Sequence, residues 1–461
     1  MGGRADDGAG NGFARTVGLR DLLVMSVGGM IGPAVFYYPA VTAGRTGPAA
    51  MLAWLLAGVG MLAVALCYTE LSTAFPEQGG PAVFPAETVG RRPVVRRFFA
   101  FLEGICYAIG WVFGISVSAW FVATYLGQVP GLGGVASHPV ALAAVAVVAS
   151  FVVTALGIDL TKRTTLVLTA FILAMLVLVV GAGLGTVFAG GGGGFTPFLT
   201  GDALGFLGSM GVALSAYGAW TVIPASAEEV KRPAWTLPRA ILGSLVVVTL
   251  LYTAVMVVFV AVVPTTAITP NAPVFFAPLS VLADAVGLGV VGEYLVPLAA
   301  LVAVFTTMLV GITGTARVLL AMGRRGLLPA VFARVDDRTG TPVVGVAVVA
   351  AAALGLVFVR GFYGQIVLAA LVGTVVPYVV NVVALVGLRR YRPDVTPTFE
   401  APGGLALPAV ALCFLGSMAV GLGVERPLTA GLVVGGVVVG FVLQEVVVEG
   451  RTRETVASSD D

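Results

Sequence analysis

Apolar residues fill this chain in long runs, and polar, proline and glycine positions interrupt them at fairly regular intervals. A run of roughly 18 or more residues with few charges is long enough, as a helix, to cross a bilayer. Reading from break to break predicts twelve spans, at 19–42, 49–73, 97–127, 139–157, 164–188, 203–224, 238–263, 291–322, 341–359, 365–388, 405–424 and 428–447. The predicted fold class is an all-α integral membrane protein. Its parts are a tail (1–18), five spans (19–188), a glycine-rich linker (189–202), five more spans (203–388), a loop (389–404), two last spans (405–447) and a second tail (448–461).

Two spans break the pattern. Span 1 carries GGMIGPAVF (Gly28–Phe36) at its middle. In a helix interior glycine costs about 1 kcal/mol and proline about 3 kcal/mol relative to alanine. A helix interrupted there exposes carbonyls from its first half and N–H groups from its second. Such groups are tolerated at membrane depth only within protein or beside a water-filled cavity. Paired breaks in corresponding spans of two halves point to a transporter's binding site. Span 6, five spans later, supplies the partner, with Gly208, Gly211, Ser215, Gly218 and Pro224 along GSMGVALSAYGAWTVIPASAEE. Glycines that merely allow helices to pack closely are the alternative for either span alone.

Charge adds orientation. Only 10% of the 461 residues are charged, against roughly 25% in soluble domains. With the N-terminus inside, the twelve-span reading puts all but three of the 25 basic residues on the cytoplasmic side; Arg45, Arg360 and Arg426 fall outside. That segregation follows the positive-inside rule, and it predicts a multi-pass protein of the cell membrane with both termini cytoplasmic. No signal peptide is evident before span 1. Cys67, Cys106 and Cys413 lie in apolar segments without ligand spacing and read as core residues. His138 reads as interfacial. Glu70 and Glu103 fall near the inner ends of spans 2 and 3, and Asp202 and Glu293 at outer ends. With no charged residue assigned to the midplane, a net-neutral ligand is favoured, and membrane protease or haem chemistry lacks its ligands. The stretch from Pro264 to Val290 is the longest outer connection, read either as a cap over a pathway or as an ordinary loop.

Four stretches resemble the amino acid–polyamine–organocation transporters: GGMIGPAVFYYPAVTAGRTGPAAMLAWLLAG with ALCYTELSTAFPEQGG, AYGAWTVIPASAEEVKRPAWTLPRAI, TARVLLAMGRRGLLPAVFARVDDRTGTP, and LRRYRPDVTPTFEAPGG. The resemblance implies two inverted five-helix repeats with discontinuous helices 1 and 6, two additional helices, and alternating-access transport. It places a ligand carboxylate at Gly29, Gly32 and Ala34, and an amino group against carbonyls near Gly28, Ser215 and Ala216. Tyr217 or Trp220 would act as a lid, and Ile109 to Phe113 would line the side-chain pocket. Ordinary helix packing is the alternative for each of these residues.

Three positions depart from the family's pattern. Pro33 removes an N–H where Gly-Ser-Gly often stands, Thr221 stands where many members carry an acid, and Ile172 stands where some carry a lysine. Sodium-coupled proteins of this fold bind the ion between span 1 carbonyls and two hydroxyls of span 8. The matching residues here are Gly28, Ile31, Thr306 and Thr307. Threonines that bond back to their own helix are the alternative. The expected function is a secondary transporter of a small neutral amino acid, with sodium ahead of proton coupling or exchange. A polyamine or cationic amino acid carrier is the runner-up, and a channel or non-transporting sensor the reading from another class. Beyond sodium no cofactor is expected. The expected partners are the amino acid and the lipid bilayer, without nucleic acid, and oligomeric state stays open.

Overall fold

Proline opens one long helix after another, at the first-turn position where its missing N–H is never needed. The computed structural model describes residues 15–77, 79–193, 195–269, 272–359, 371–423, 435 and 438–442. Span 1 is two helices, α1 (Leu19–Met30) and α2 (Pro33–Thr46). A 3-10 turn (Gly47–Ala49) leads into α3 (Ala50–Ala74), span 2. The short α4 (Gly80–Thr88) precedes α5 (Pro93–Leu126), span 3. Spans 4 and 5 are α6 (Pro139–Ala155) and α7 (Ile158–Thr186). Val187–Gly191, which runs from the predicted end of span 5 into the first residues of the predicted linker, continues α7 as a π-helical turn.

Span 6 comprises α8 (Ala203–Ser215), a 3-10 turn (Gly218–Thr221) and α9 (Val222–Ala225), bent by 43°. Then come α10 (Pro233–Val262), α11 (Val296–Arg324), α12 (Val343–Val357), α13 (Val376–Tyr391) and α14 (Ala406–Gly423). A π-helical turn, Leu371–Val375, leads into α13. The start of span 10 and most of span 12 lie outside the described residues. Among the described residues six helices are long and apolar enough to cross a membrane, or seven if the bent pair counts as one span. Helix is their only regular structure; two isolated β-bridges, Val17 with Val230 and Asp336 with Thr341, accompany it.

The most extensive helix contacts pair α3 with α10 and α5 with α11. One end of the bundle gathers the arginines. Arg317 Nε meets Glu229 Oε1 at 2.7 Å with both side chains buried, and Arg324 meets Glu228 at 3.1 Å. Arg325 binds Glu77 and Glu87 at 2.8 and 2.5 Å, and Arg389 binds Glu70 at 2.5 Å. Glu70 also accepts from the Ala401 N–H at 2.8 Å, which fixes the loop after α13. In that loop the Arg392 guanidinium holds the Asp394 carboxyl below the ordinary carboxylate range. Val17 accepts from the Lys231 N–H at 2.9 Å and donates to the Glu229 carbonyl at 3.0 Å, so the chain before α1 is tied to the segment after α9. At the opposite end Phe275, in the connection between α10 and α11, packs on Tyr37 with ring centroids 5.7 Å apart. Tyr37 in turn packs on Phe121 of α5 at 5.1 Å.

Candidate functional site

The break in span 1 follows from three residues. Ile31 leaves helical geometry with ψ at 65°, and Gly32 is extended at φ −94° and ψ −159°. Pro33 then restarts the helix at its first position. Because Pro33 has no N–H, the Gly29 carbonyl loses the donor a continuous helix would give it. Thr307 Oγ1 of α11 donates to it instead, at 3.0 Å. The Gly32 N–H turns back to the Met30 carbonyl at 2.7 Å. Tyr252 Oη of α10 donates to the same Met30 carbonyl and lies 3.3 Å from the Ala216 carbonyl at the end of α8. One tyrosine thus spans the open ends of both broken helices. On the far side of the gap, the first turn of α2 has no side-chain cap. Its free N–H groups and the helix dipole favour an anion there.

Between these ends lies a cavity of about 120 Å³. A cavity of about 150 Å³ holds benzene, so this space is of the right order for a small metabolite. Of the residues expected from the sequence, Gly29, Gly32, Ala34, Ser215, Ala216 and Thr307 line it. Gly28, Ile31, Thr306, Ile109, Phe113, Tyr217 and Trp220 are not among its lining residues. Within the expected Ile109–Phe113 segment of α5, Gly110 and Trp111 line the cavity while Ile109 and Phe113 do not. Tyr107, Gly110, Trp111, Gly114, Val117 and Ser118 form the α5 wall, at the three- and four-residue spacing of one helix face.

Tyr217 and Trp220 are fully buried and hold helices together. Tyr217 Oη donates to the Trp54 carbonyl at 3.1 Å, and its ring packs on Tyr252. Trp220 stacks on Tyr378 with centroids 5.8 Å apart and meets Tyr68 edge-on at 4.9 Å. Neither side chain is placed as a lid over the cavity.

Gly28 is required for packing. A Cβ there would lie 1.9 Å from Thr169 Oγ1 of α7 and 3.1 Å from the Thr306 methyl. Thr306 Oγ1 bonds back to the Val302 carbonyl at 2.9 Å, the pattern of a threonine satisfied within its own helix. Thr169 is the span 5 side chain that meets the break against Gly28, while Ile172 is buried one turn away. Thr221 lines the cavity and lies 3.2 Å from Tyr107 Oη, which links α5 to the bent span.

Among the described residues, none that lines the cavity is an acid, lysine, arginine or histidine. One carboxyl lies just beyond the wall. Glu103, one turn before Tyr107 on α5, is fully buried and accepts from Asn381 Nδ2 at 3.2 Å. Its Oε2 has no partner among the described residues. Asn381 also donates to Tyr68 Oη at 2.9 Å and to the carbonyl of Pro377, a cavity residue, at 3.2 Å. Glu103 sits ten residues into α5, which begins at Pro93, four residues before the predicted start of the span.

A family model described as amino acid permease matches residues 17–440. The chain belongs to the amino acid permease family. The permease is 28% identical to the methylthioribose transporter of Bacillus subtilis over 87% of its own length and 86% of the relative. It is 27% identical to the branched-chain amino acid permease of the same organism, again over 87% and 86%. To cationic amino acid transporter 4 of Mus musculus it is 30% identical over 85% of its length and 63% of the mouse protein. It is therefore a multi-pass membrane transporter and not an enzyme.

Proposed function

We propose that the permease carries a neutral amino acid by alternating access, with the substrate held between the two helix breaks. The observation that carries this reading is the cavity itself. It is bounded by the carbonyl ends of α1 and α8 and the uncapped start of α2, and no charged side chain among the described residues lines it. A zwitterion finds complementary dipoles there, carboxylate toward the N–H groups and ammonium toward the carbonyls. A second positive charge on the substrate would be buried without a counter-charge, at a cost of several kcal/mol. This favours a neutral substrate over a cationic one, although several relatives are named for cationic amino acids. We read the arginine-rich end as cytoplasmic, the full chain as twelve spans, and the first ten as two inverted repeats. Both termini then lie inside.

For coupling, the sodium reading rests on the Gly29 carbonyl and the Thr307 hydroxyl, two hard oxygens already together at the break. Gly28, Ile31 and Thr306 would have to complete the shell, with Thr306 giving up its bond to Val302. A second reading, proton coupling, is favoured by Glu103, whose Oε2 is buried beneath the cavity without a partner among the described residues. Uptake into proteoliposomes of labelled neutral and cationic amino acids, with sodium and proton gradients imposed separately, tests all of this. Accumulation of neutral substrates driven by sodium is expected. Transport of cationic substrates alone would overturn the neutral reading, and uptake indifferent to sodium would remove the ion from the Gly29–Thr307 site.

A further inference from the structure

Two glycines in the cavity wall differ from the others. A Cβ built on Gly29 or Gly32 would collide with protein atoms at 2.8 or 2.3 Å, so these glycines are there to let helices meet. Gly110 likewise presses on Gly373, with a Cβ 2.1 Å from the Gly373 Cα. Gly114 of α5 and Gly218 of the bent span both line the cavity, and at each a Cβ would meet nothing within 4 Å among the described residues. Neither has a positive φ, so backbone conformation does not demand glycine at either position. Alanine would help both helical segments by up to about 1 kcal/mol. Packing and backbone geometry therefore leave these two glycines unexplained, and the space their missing side chains leave is space in the cavity.

We propose that Gly114 and Gly218 are specificity-determining residues, and that the space they leave receives a bulky apolar side chain, branched or aromatic, of the transported amino acid. This deepens the neutral amino acid reading and rests on it. The charged ends of a zwitterion are drawn to the breaks at Gly29–Ala34 and Ser215–Ala216. Gly218 lies just beyond the second break, and Gly114 lies on the α5 wall. Beside Gly114 on the same face of α5 stand Trp111 and Val117, with Ser118 one turn on. Trp111 is fixed there against Gly311 of α11, where a Cβ would lie 2.3 Å from the indole. Val117 and the Tyr378 ring complete the lining on that side of the substrate. A glycine- or alanine-sized ligand would leave this apolar surface uncovered, whereas a leucine or phenylalanine side chain would cover it, at about 25 cal/mol per Å² buried.

The test uses the full-length permease in proteoliposomes, with L-leucine, L-phenylalanine and L-alanine as probes. Gly114→Ala and Gly218→Ala are expected to hold or slightly raise the wild-type melting temperature, because each added methyl enters open space and favours the helix. Each should lower the leucine-to-alanine and phenylalanine-to-alanine ratios of kcat/KM by roughly tenfold or more, the size of a one-carbon misfit in an apolar pocket. Gly110→Ala serves as the contrast and should reduce folding and all transport together. Unchanged ratios in both variants, or a wild type that prefers alanine to leucine and phenylalanine, would overturn the assignment while leaving the neutral amino acid reading intact. A drop in melting temperature with equal loss for all three probes would make the two glycines structural, and would also overturn it. A wild type that moves none of the three, while transporting a cationic amino acid, overturns the neutral reading and this inference with it.

Discussion

Span 1 breaks where its own residues forbid a continuous helix, whereas span 6 bends through residues that carry no such prohibition. At Gly32-Pro33 the chain lacks the N–H that would close the helix on Gly29, so the break is local chemistry. Through Ser215-Ala216-Tyr217 no proline stands, and the Ala216 and Tyr217 N–H groups simply tighten to i−3 carbonyls. That turn is held from outside. Tyr217 is anchored to Trp54, Tyr252 reaches the Ala216 carbonyl, and Glu229 beyond α9 is locked to Arg317. A locally encoded break is rigid, while one imposed by neighbours yields when those neighbours move. In a transporter that changes shape around a site, the second kind is the one that can respond.

Removing the tie at Glu229 should have the largest effect. Glu229→Ala leaves Arg317 buried without its carboxylate, which typically costs about 3–5 kcal/mol. Hydrogen exchange should rise over residues 216–230 and leave the span 1 break unaffected; equal change at both breaks would contradict the comparison. Gly32→Leu attacks the local break. Its Cβ would begin 2.3 Å from Thr307 Oγ1, an overpacking cost of about 1–3 kcal/mol. Substrate binding should vanish while the protein still inserts, and retained binding measured by scintillation proximity would contradict a site at this break.

Thr307→Ala withdraws the donor that replaces the missing Pro33 N–H, leaving the Gly29 carbonyl unpaired at about 1–3 kcal/mol. Sodium dependence of uptake should weaken more than the melting temperature falls. The reverse order would show that the hydroxyl serves folding alone. Tyr252→Phe should be the mildest, at about 1 kcal/mol. Met30 keeps the Gly32 N–H as a donor, while Ala216 loses a side-chain contact. Exchange should therefore quicken around Ala216 more than around Met30, and the opposite pattern would reverse the assignment of local and imposed breaks.

Helix lengths, the broken first span and the face of α5 follow from patterns that the chain itself carries. Hydrophobic runs fix where helices form in a bilayer, because each backbone group must bond within its own segment. Gly32 and Pro33 fix where the first one stops, because no fold restores an N–H to proline. The glycines and Ser215 of span 6 were readable as an irregular span by their composition, and Ser215 and Ala216 as site residues by the family resemblance. The roles of Tyr217 and Trp220 were not readable, since an aromatic side chain at a bend faces the ligand or the neighbouring helices according to how those helices pack. Glu103 was legible as an acid near a helix end, but its depth depended on where α5 began and on Asn381 arriving from α13. Gly114 and Gly218 stand in the sequence among many other glycines. Only the tertiary structure separated the glycines pressed against neighbours from the two facing open space, because a missing side chain means nothing until its surroundings are placed.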